Sequence, residues 1–152
     1  MDRQEIKDLI PHREPMLLLD EVWMTGEKTA SGRYTVRGDE FFLQGHFPGN
    51  PIVPGVILCE VMAQTACILM QDHIEGKLTL YTGIRNVRFK RQVKPGDTID
   101  IDVELTKVSL PFCFVKGEGR VGDEVCVTGD FSVALVDPEV AEQEDGVAAQ
   151  SM

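Results

Sequence analysis

Ile99, Ile101, Val103 and Leu105 alternate with Asp100, Asp102, Glu104 and Thr106. An apolar side chain at every second position marks a strand with one dry face and one wet face. Shorter runs of the same kind, bounded by turn residues, predict strands at Met16 to Trp23, Thr29 to Val36, Leu78 to Ile84, Arg88 to Val93, Thr98 to Val108, Phe112 to Gly117 and Glu124 to Val136. Gly26, Pro95-Gly96-Asp97 and Gly122-Asp123 supply turns between them. One stretch has a different character. From Pro54 to about Gln71 or His73 the chain is apolar nearly all round, which predicts a long helix buried on most sides. Pro54 suits an early helical position, where its missing N–H has no intrahelical partner anyway. The polar exceptions, Glu60, Gln64 and Gln71, fall at i, i+4 and i+11 on one face. A second, short helix is expected where Asp2 and Glu5 resemble a capping pair ahead of Ile6, Leu9 and Ile10, with Pro11 stopping it.

The layout is thus two strands, one long buried helix and a run of antiparallel strands, with no internal repeat. A single helix apolar all round needs a curved sheet to wrap it, an α+β arrangement. Such a sheet leaves part of the helix open, so a second copy is expected to cover the rest. The 152 residues suit one domain. The net charge is −10. Asp137, Glu139, Glu142, Glu144 and Asp145 lie in a tail without Lys or Arg; without them the body holds 20 acids against 15 bases. A nucleic-acid binder should be basic, so that class is disfavoured. We read 1–136 as the folded domain and 137–152 as a disordered acidic tail, since it lacks apolar periodicity. No apolar run is long enough to span a membrane, and no signal peptide is evident. Cys59, Cys67, Cys113 and Cys126 are far apart and form no Cys-x-x-Cys pair. They read as reduced, buried thiols of a cytoplasmic protein rather than metal ligands.

The candidate chemistry lies at the start of the long helix. His46 sits in a loop punctuated by proline and glycine, and Glu60 follows fourteen residues later inside the apolar segment. A carboxylate there is expensive to bury unless something uses or satisfies it. Imidazole plus carboxyl is also a basic kit for moving protons near neutral pH. Gln64, one turn on, can hydrogen-bond that carboxyl. Arg85, Arg88, Lys90, Arg91 and Lys94 occur with no acid between Gly83 and Gly96. They form either a positive patch for an acidic partner or a solvated strand face.

Three motifs in order carry a resemblance. They are Ile10-Pro11-His12-Arg13-Glu14-Pro15-Met16-Leu17-Leu18-Leu19-Asp20; then Gly45-His46-Phe47-Pro48 with Pro54-Gly55-Val56, Glu60 and Ala63-Gln64; then Phe89 to Asp97. Together they resemble the 3-hydroxyacyl-[acyl-carrier-protein] dehydratases of bacterial fatty-acid synthesis, in the branch with glutamate on the helix. The resemblance implies a hotdog fold, a homodimer and commonly a trimer of dimers. It implies conversion of a (3R)-3-hydroxyacyl thioester to a trans-2-enoyl thioester and water, with no metal and no redox cofactor, on substrate borne by acyl carrier protein. It implies His46 as base, Glu60 as acid, and backbone N–H groups at Gly55 and Val56 polarising the thioester carbonyl. Phe89 and Tyr81 become candidates for lining the acyl tunnel, with core packing as their ordinary alternative. His12 and His73 read as structural. Glu14 stands where the family often has an aromatic residue, and Val108 to Pro111 replaces a more basic turn. The rivals are a hotdog thioesterase and a non-catalytic acyl- or carrier-binding module.

Overall fold

The computed structural model describes residues 1–138 and 150–151. Helix α1 spans Arg3–Leu9. Its capping box is complete: Glu5 N–H donates to Asp2 Oδ1 at 2.9 Å and Asp2 N–H to Glu5 Oε2 at 2.7 Å. Strands β1 (Glu21–Met24) and β2 (Thr29–Thr35) follow. Helix α2 covers Gly55–Ala66 and continues as a 3-10 turn, Cys67–Met70. Then come β3 (Leu78–Phe89), β4 (Thr98–Ser109), β5 (Phe112–Val121), β6 (Glu124–Val136) and the two-residue β7 (Gln150–Ser151). The order across the one sheet is β1-β2-β4-β5-β6-β3-β7, and every pairing is antiparallel.

The sheet curls around α2, as the hydrophobic pattern requires. On β4, Ile99, Ile101 and Val103 are buried, while Asp100, Asp102 and Glu104 are not. From Leu58 to Ala66 every α2 residue is buried. Gly32 lets β2 pass close beneath the helix, because a Cβ there would lie 2.7 Å from Thr65 Oγ1. Leu17, Leu18 and Leu19 are buried, yet the segment is not a strand; pairing begins only at Glu21. Among the described residues no helix is long and apolar enough to cross a membrane. The four cysteines are buried and unbridged.

Two expectations need correction. The helix is shorter than the apolar stretch, because its last turn tightens to 3-10 after Ala66, a common way for a helix to end. Gln71 therefore leaves the Glu60–Gln64 face and is exposed. Of the separate strands expected at Leu78 to Ile84 and Arg88 to Val93, the first runs on through Arg88 and Phe89 as one strand, β3, with register shifts at Tyr81/Gly83 and Arg85/Arg88, while Lys90 to Val93 are not in a strand. Asn86, at φ 55, sits in the second irregularity, a left-handed conformation that asparagine tolerates better than most residues. The disorder expected of 137–152 falls mainly on residues outside those described.

Candidate active site

The loop that carries His46 is held from below by one buried carboxylate. Glu40 accepts hydrogen bonds from the Tyr34 hydroxyl, from Arg37 N–H at 3.0 Å and from Gly38 N–H at 2.7 Å. Burial pushes the Glu40 carboxyl up, but these donors outweigh it and hold the group below the usual carboxylate range. A 3-10 turn, Phe41–Leu43, then leads to His46. Ile52 N–H donates to the His46 carbonyl at 2.8 Å, and Val53 N–H to the Val93 carbonyl at 2.8 Å, tying the loop to the chain after β3. The His46 ring stacks on Phe47 with centroids 4.4 Å apart. Its Nδ1 lies 3.0 Å from the Ile52 carbonyl oxygen. A carbonyl can only accept, so Nδ1 carries the hydrogen and, in the neutral ring, Nε2 keeps the lone pair.

His46 lines a cleft of about 550 Å³ with Gly55, Val56, Phe89, Lys90 and Arg91. The first intrahelical donations of α2 come from Ile57 and Leu58 onto the Pro54 carbonyl. The N–H groups of Gly55 and Val56 precede them, at the positive end of the helix dipole. The Phe89 ring covers Gly55 so closely that a Cβ on Gly55 would lie 2.7 Å from Phe89 Cζ. Phe89 is 54% exposed and Val56 75% exposed, so neither is core. Tyr81 lies elsewhere: its hydroxyl donates to the Cys59 carbonyl at 2.9 Å and its ring packs edge-on against Phe131.

Glu60 is only 6% exposed. Burial raises its carboxyl to about 7, although the hydrogen bond from Gln64 works in the other direction. Gln64 Nε2 lies 3.4 Å from Glu60 Oε1. The same amide pins the segment after α1, donating to the Met16 carbonyl at 2.7 Å and accepting from Leu18 N–H at 3.0 Å. Gln64 thus both satisfies buried backbone and touches the carboxyl. The imidazole that Glu60 meets within its own chain is not His46 but His12, with Nε2 3.9 Å from Oε1.

The basic segment divides. Lys90 and Arg91 reach the cleft, while Arg85 and Arg88 are exposed along β3 and Lys94 lies beyond it. Arg91 also pairs with Glu124 at 3.4 Å. Glu14 is paired too, with Lys7 Nζ at 2.9 Å and Arg3 Nη1 at 3.5 Å, and the Lys7 hydrogen bond holds its carboxyl at about 2.

Residues 10–130 match the model of the FabA-like domain. The 3-hydroxyacyl-[acyl-carrier-protein] dehydratase FabZ of Natranaerobius thermophilus is 49% identical over 142 residues, covering 90% of this chain and 98% of that protein. The chain belongs to the FabA-like dehydratase family. The corresponding FabZ of Acetivibrio thermocellus is 43% identical, with coverage of 88% and 93%. Among solved structures, the dehydratase heterocomplex ApeI:P of Xenorhabdus doucetiae aligns with a TM-score of 0.79 at 25% identity, covering 91% of this chain and 95% of that one. The fluoroacetyl-CoA-specific thioesterase FlK aligns with a TM-score of 0.64 at 16% identity, covering 75% and 96%, a likeness of fold alone. The dehydratase has the hotdog architecture expected of it. Sequence reasoning missed His12 as a neighbour of Glu60. Its only signal was a place in the first motif, and 47 intervening residues hide the contact.

Proposed function

We propose that this dehydratase uses His46 as base and Glu60 as acid to remove water from (3R)-3-hydroxyacyl-[acyl-carrier-protein], giving the trans-2-enoyl thioester. The reaction belongs to fatty-acid biosynthesis. The observation that carries the residue assignment is the pairing of a His46 ring whose Nδ1 faces a carbonyl, at the cleft, with a buried Glu60 carboxyl. His46 has Nδ1–H occupied by the Ile52 carbonyl, which leaves Nε2 to accept a proton. Glu60 keeps its proton up to about pH 7 because it is buried. Nε2 takes the C2 hydrogen, Glu60 protonates the leaving C3 hydroxyl, and the electron pair left on C2 forms the double bond. The thioester oxygen, where negative charge develops, is received by the N–H groups at the start of α2, Gly55 first. No electrons are gained or lost overall, so the elimination asks for no redox cofactor.

Among the described residues no ion pair joins His46 to Glu60 within one chain, and Glu60 is not among the residues lining the His46 cleft. This supports a site made by two copies, His46 from one and Glu60 from the other. The edge of β3 suits such an assembly: its twelve residues face β7 only at Leu80 and Tyr81. A long edge strand is a template for pairing with another chain. The exposed Phe47, Val56 and Phe89 beside the cleft fit coverage by that copy, a homodimer or a trimer of dimers. Lys90 and Arg91 at the cleft, with Arg85 and Arg88 nearby, suit an acidic carrier protein and its phosphopantetheine phosphate. Phe89, lining the cleft over Gly55, would gate the acyl chain; Tyr81, bonded to the Cys59 carbonyl, supports the helix that bears Glu60. Four unbridged thiols accord with a cytoplasmic setting.

The test is the rise in enoyl-thioester absorbance when the protein meets a 3-hydroxyacyl carrier substrate. His46→Ala and Glu60→Gln should each lower kcat on the order of a hundredfold or more. Near-full turnover by either folded variant overturns the assignment. Release of free thiol instead of enoyl product would favour the thioesterase reading, and tight binding without turnover a carrier-binding module.

A further inference from the structure

We propose that His12 is a positioning residue for the acid: with Gln64 it holds one oxygen of the Glu60 carboxyl, Oε1, and leaves Oε2 to carry the proton that is transferred. The inference rests on Glu60 being the acid. Two side chains from different elements approach the same oxygen, Gln64 Nε2 at 3.4 Å from α2 itself and His12 Nε2 at 3.9 Å from the segment after α1. The Gln64 amide cannot be turned round. Its Oε1 takes Leu18 N–H and its Nε2 gives to the Met16 carbonyl, so the N–H side faces Glu60. An amide N–H only donates; Glu60 Oε1 is therefore an acceptor, and the carboxyl hydrogen belongs on Oε2.

The backbone at His12 is fixed as well. His12 is 9% exposed, and Arg13 Nη1 donates to the carbonyls of Ile10 at 2.9 Å and of His12 at 2.6 Å, fixing the local backbone. The other titratable groups near Glu60 are Cys59 on α2, Cys67 in the 3-10 turn and Tyr81 on β3. Burial pushes both thiols and the phenol up, so they stay neutral, and none can carry positive charge in any case. Of these neighbours only His12 can. That matters after the proton has gone. As the C3–O bond breaks, the Oε2 proton leaves with the hydroxyl as water, and Glu60 remains as a carboxylate in a buried place. Unrelieved burial would make so poor an acid reluctant to give up its proton. Once protonated, an imidazole 3.9 Å away favours the carboxylate and keeps the acid usable.

Carboxyl carbon-13 NMR of the glutamate-labelled protein reads the Glu60 titration directly, the resonance being assigned by its loss in Glu60→Gln. In His12→Asn the Glu60 midpoint should rise by on the order of 1 pH unit. In the same variant kcat should fall about tenfold with KM little changed, the mark of an interaction made in the transition state. His12→Gln serves where His12→Asn does not fold. Nitrogen-15 NMR supplies a reciprocal reading without any His12 variant: the His12 midpoint should fall in Glu60→Gln, since linked groups perturb one another equally. An unmoved Glu60 midpoint in a folded His12 variant, or an unmoved His12 midpoint in Glu60→Gln, overturns the proposal. Full turnover by Glu60→Gln would instead refute Glu60 as the acid, a separate failure.

Discussion

At the scale of single residues, Glu60 and Glu40 show how one fold treats two buried carboxyls in opposite ways. Glu40 receives three donors and is held down, so its contribution to stability is present above the ordinary carboxylate range and is lost as pH falls through its lowered value. Glu60 is raised from 4.5 to about 7. Between those values the folded protein keeps a proton that the unfolded chain releases. Stability should therefore decline as pH rises through that window and then level off. Glu60→Gln removes this slope. Urea unfolding at equal protein concentration should find the variant more stable than the parent by on the order of 3 kcal/mol at pH 8, with little difference at pH 4.5. The Glu40 effect is common to both proteins and cancels. Parallel pH profiles for parent and variant would mean that Glu60 is not held protonated by the fold.

At the scale of elements, the basic segment makes a prediction of its own. Because Lys90 and Arg91 stand at the cleft and Arg88 is exposed beside it, reversing the charge of Arg88 and Arg91 should weaken turnover of carrier-borne substrate far more than of a small pantetheine or coenzyme A thioester. It should also flatten the dependence on salt. Equal losses on both substrates would mean a packing effect, which the Arg91 contact with Glu124 makes a fair control. Elements whose signal is local were legible in the sequence: the alternation of β4, the capping box of α1, the apolar girth of α2. What escaped depends on tertiary packing. Arg88 and Phe89 read as the start of a fresh strand, whereas pairing with β6 carries β3 through the irregularity at Asn86 to reach them. Leu17 to Leu19 carry strand-like residues but are used as core, fastened by Gln64 rather than by a neighbouring strand. In the candidate site, the motif drew attention to His46, Glu60 and Gly55, of which His46 and Gly55 line one cleft. The approach of His12 to Glu60 was not, since nothing local links α1 to α2.

In the whole molecule, the proposed base and acid do not line one cleft within a single chain. His46 lines a cleft, Glu60 is buried outside its lining, and β3 faces β7 at only Leu80 and Tyr81 among the described residues. On the proposed reading, base and acid meet across a contact between two copies. Mixed dimers test it most directly. His46→Ala and Glu60→Gln, each inactive alone, are unfolded together, refolded and assayed for enoyl-thioester formation, with heterodimer content measured by mass. A heterodimer with two shared sites holds one doubly damaged site and one intact site. Random mixing makes about half the dimers heterodimers, so roughly a quarter of all sites should recover activity. Heterodimers that form yet recover nothing would show that each site is built from a single chain.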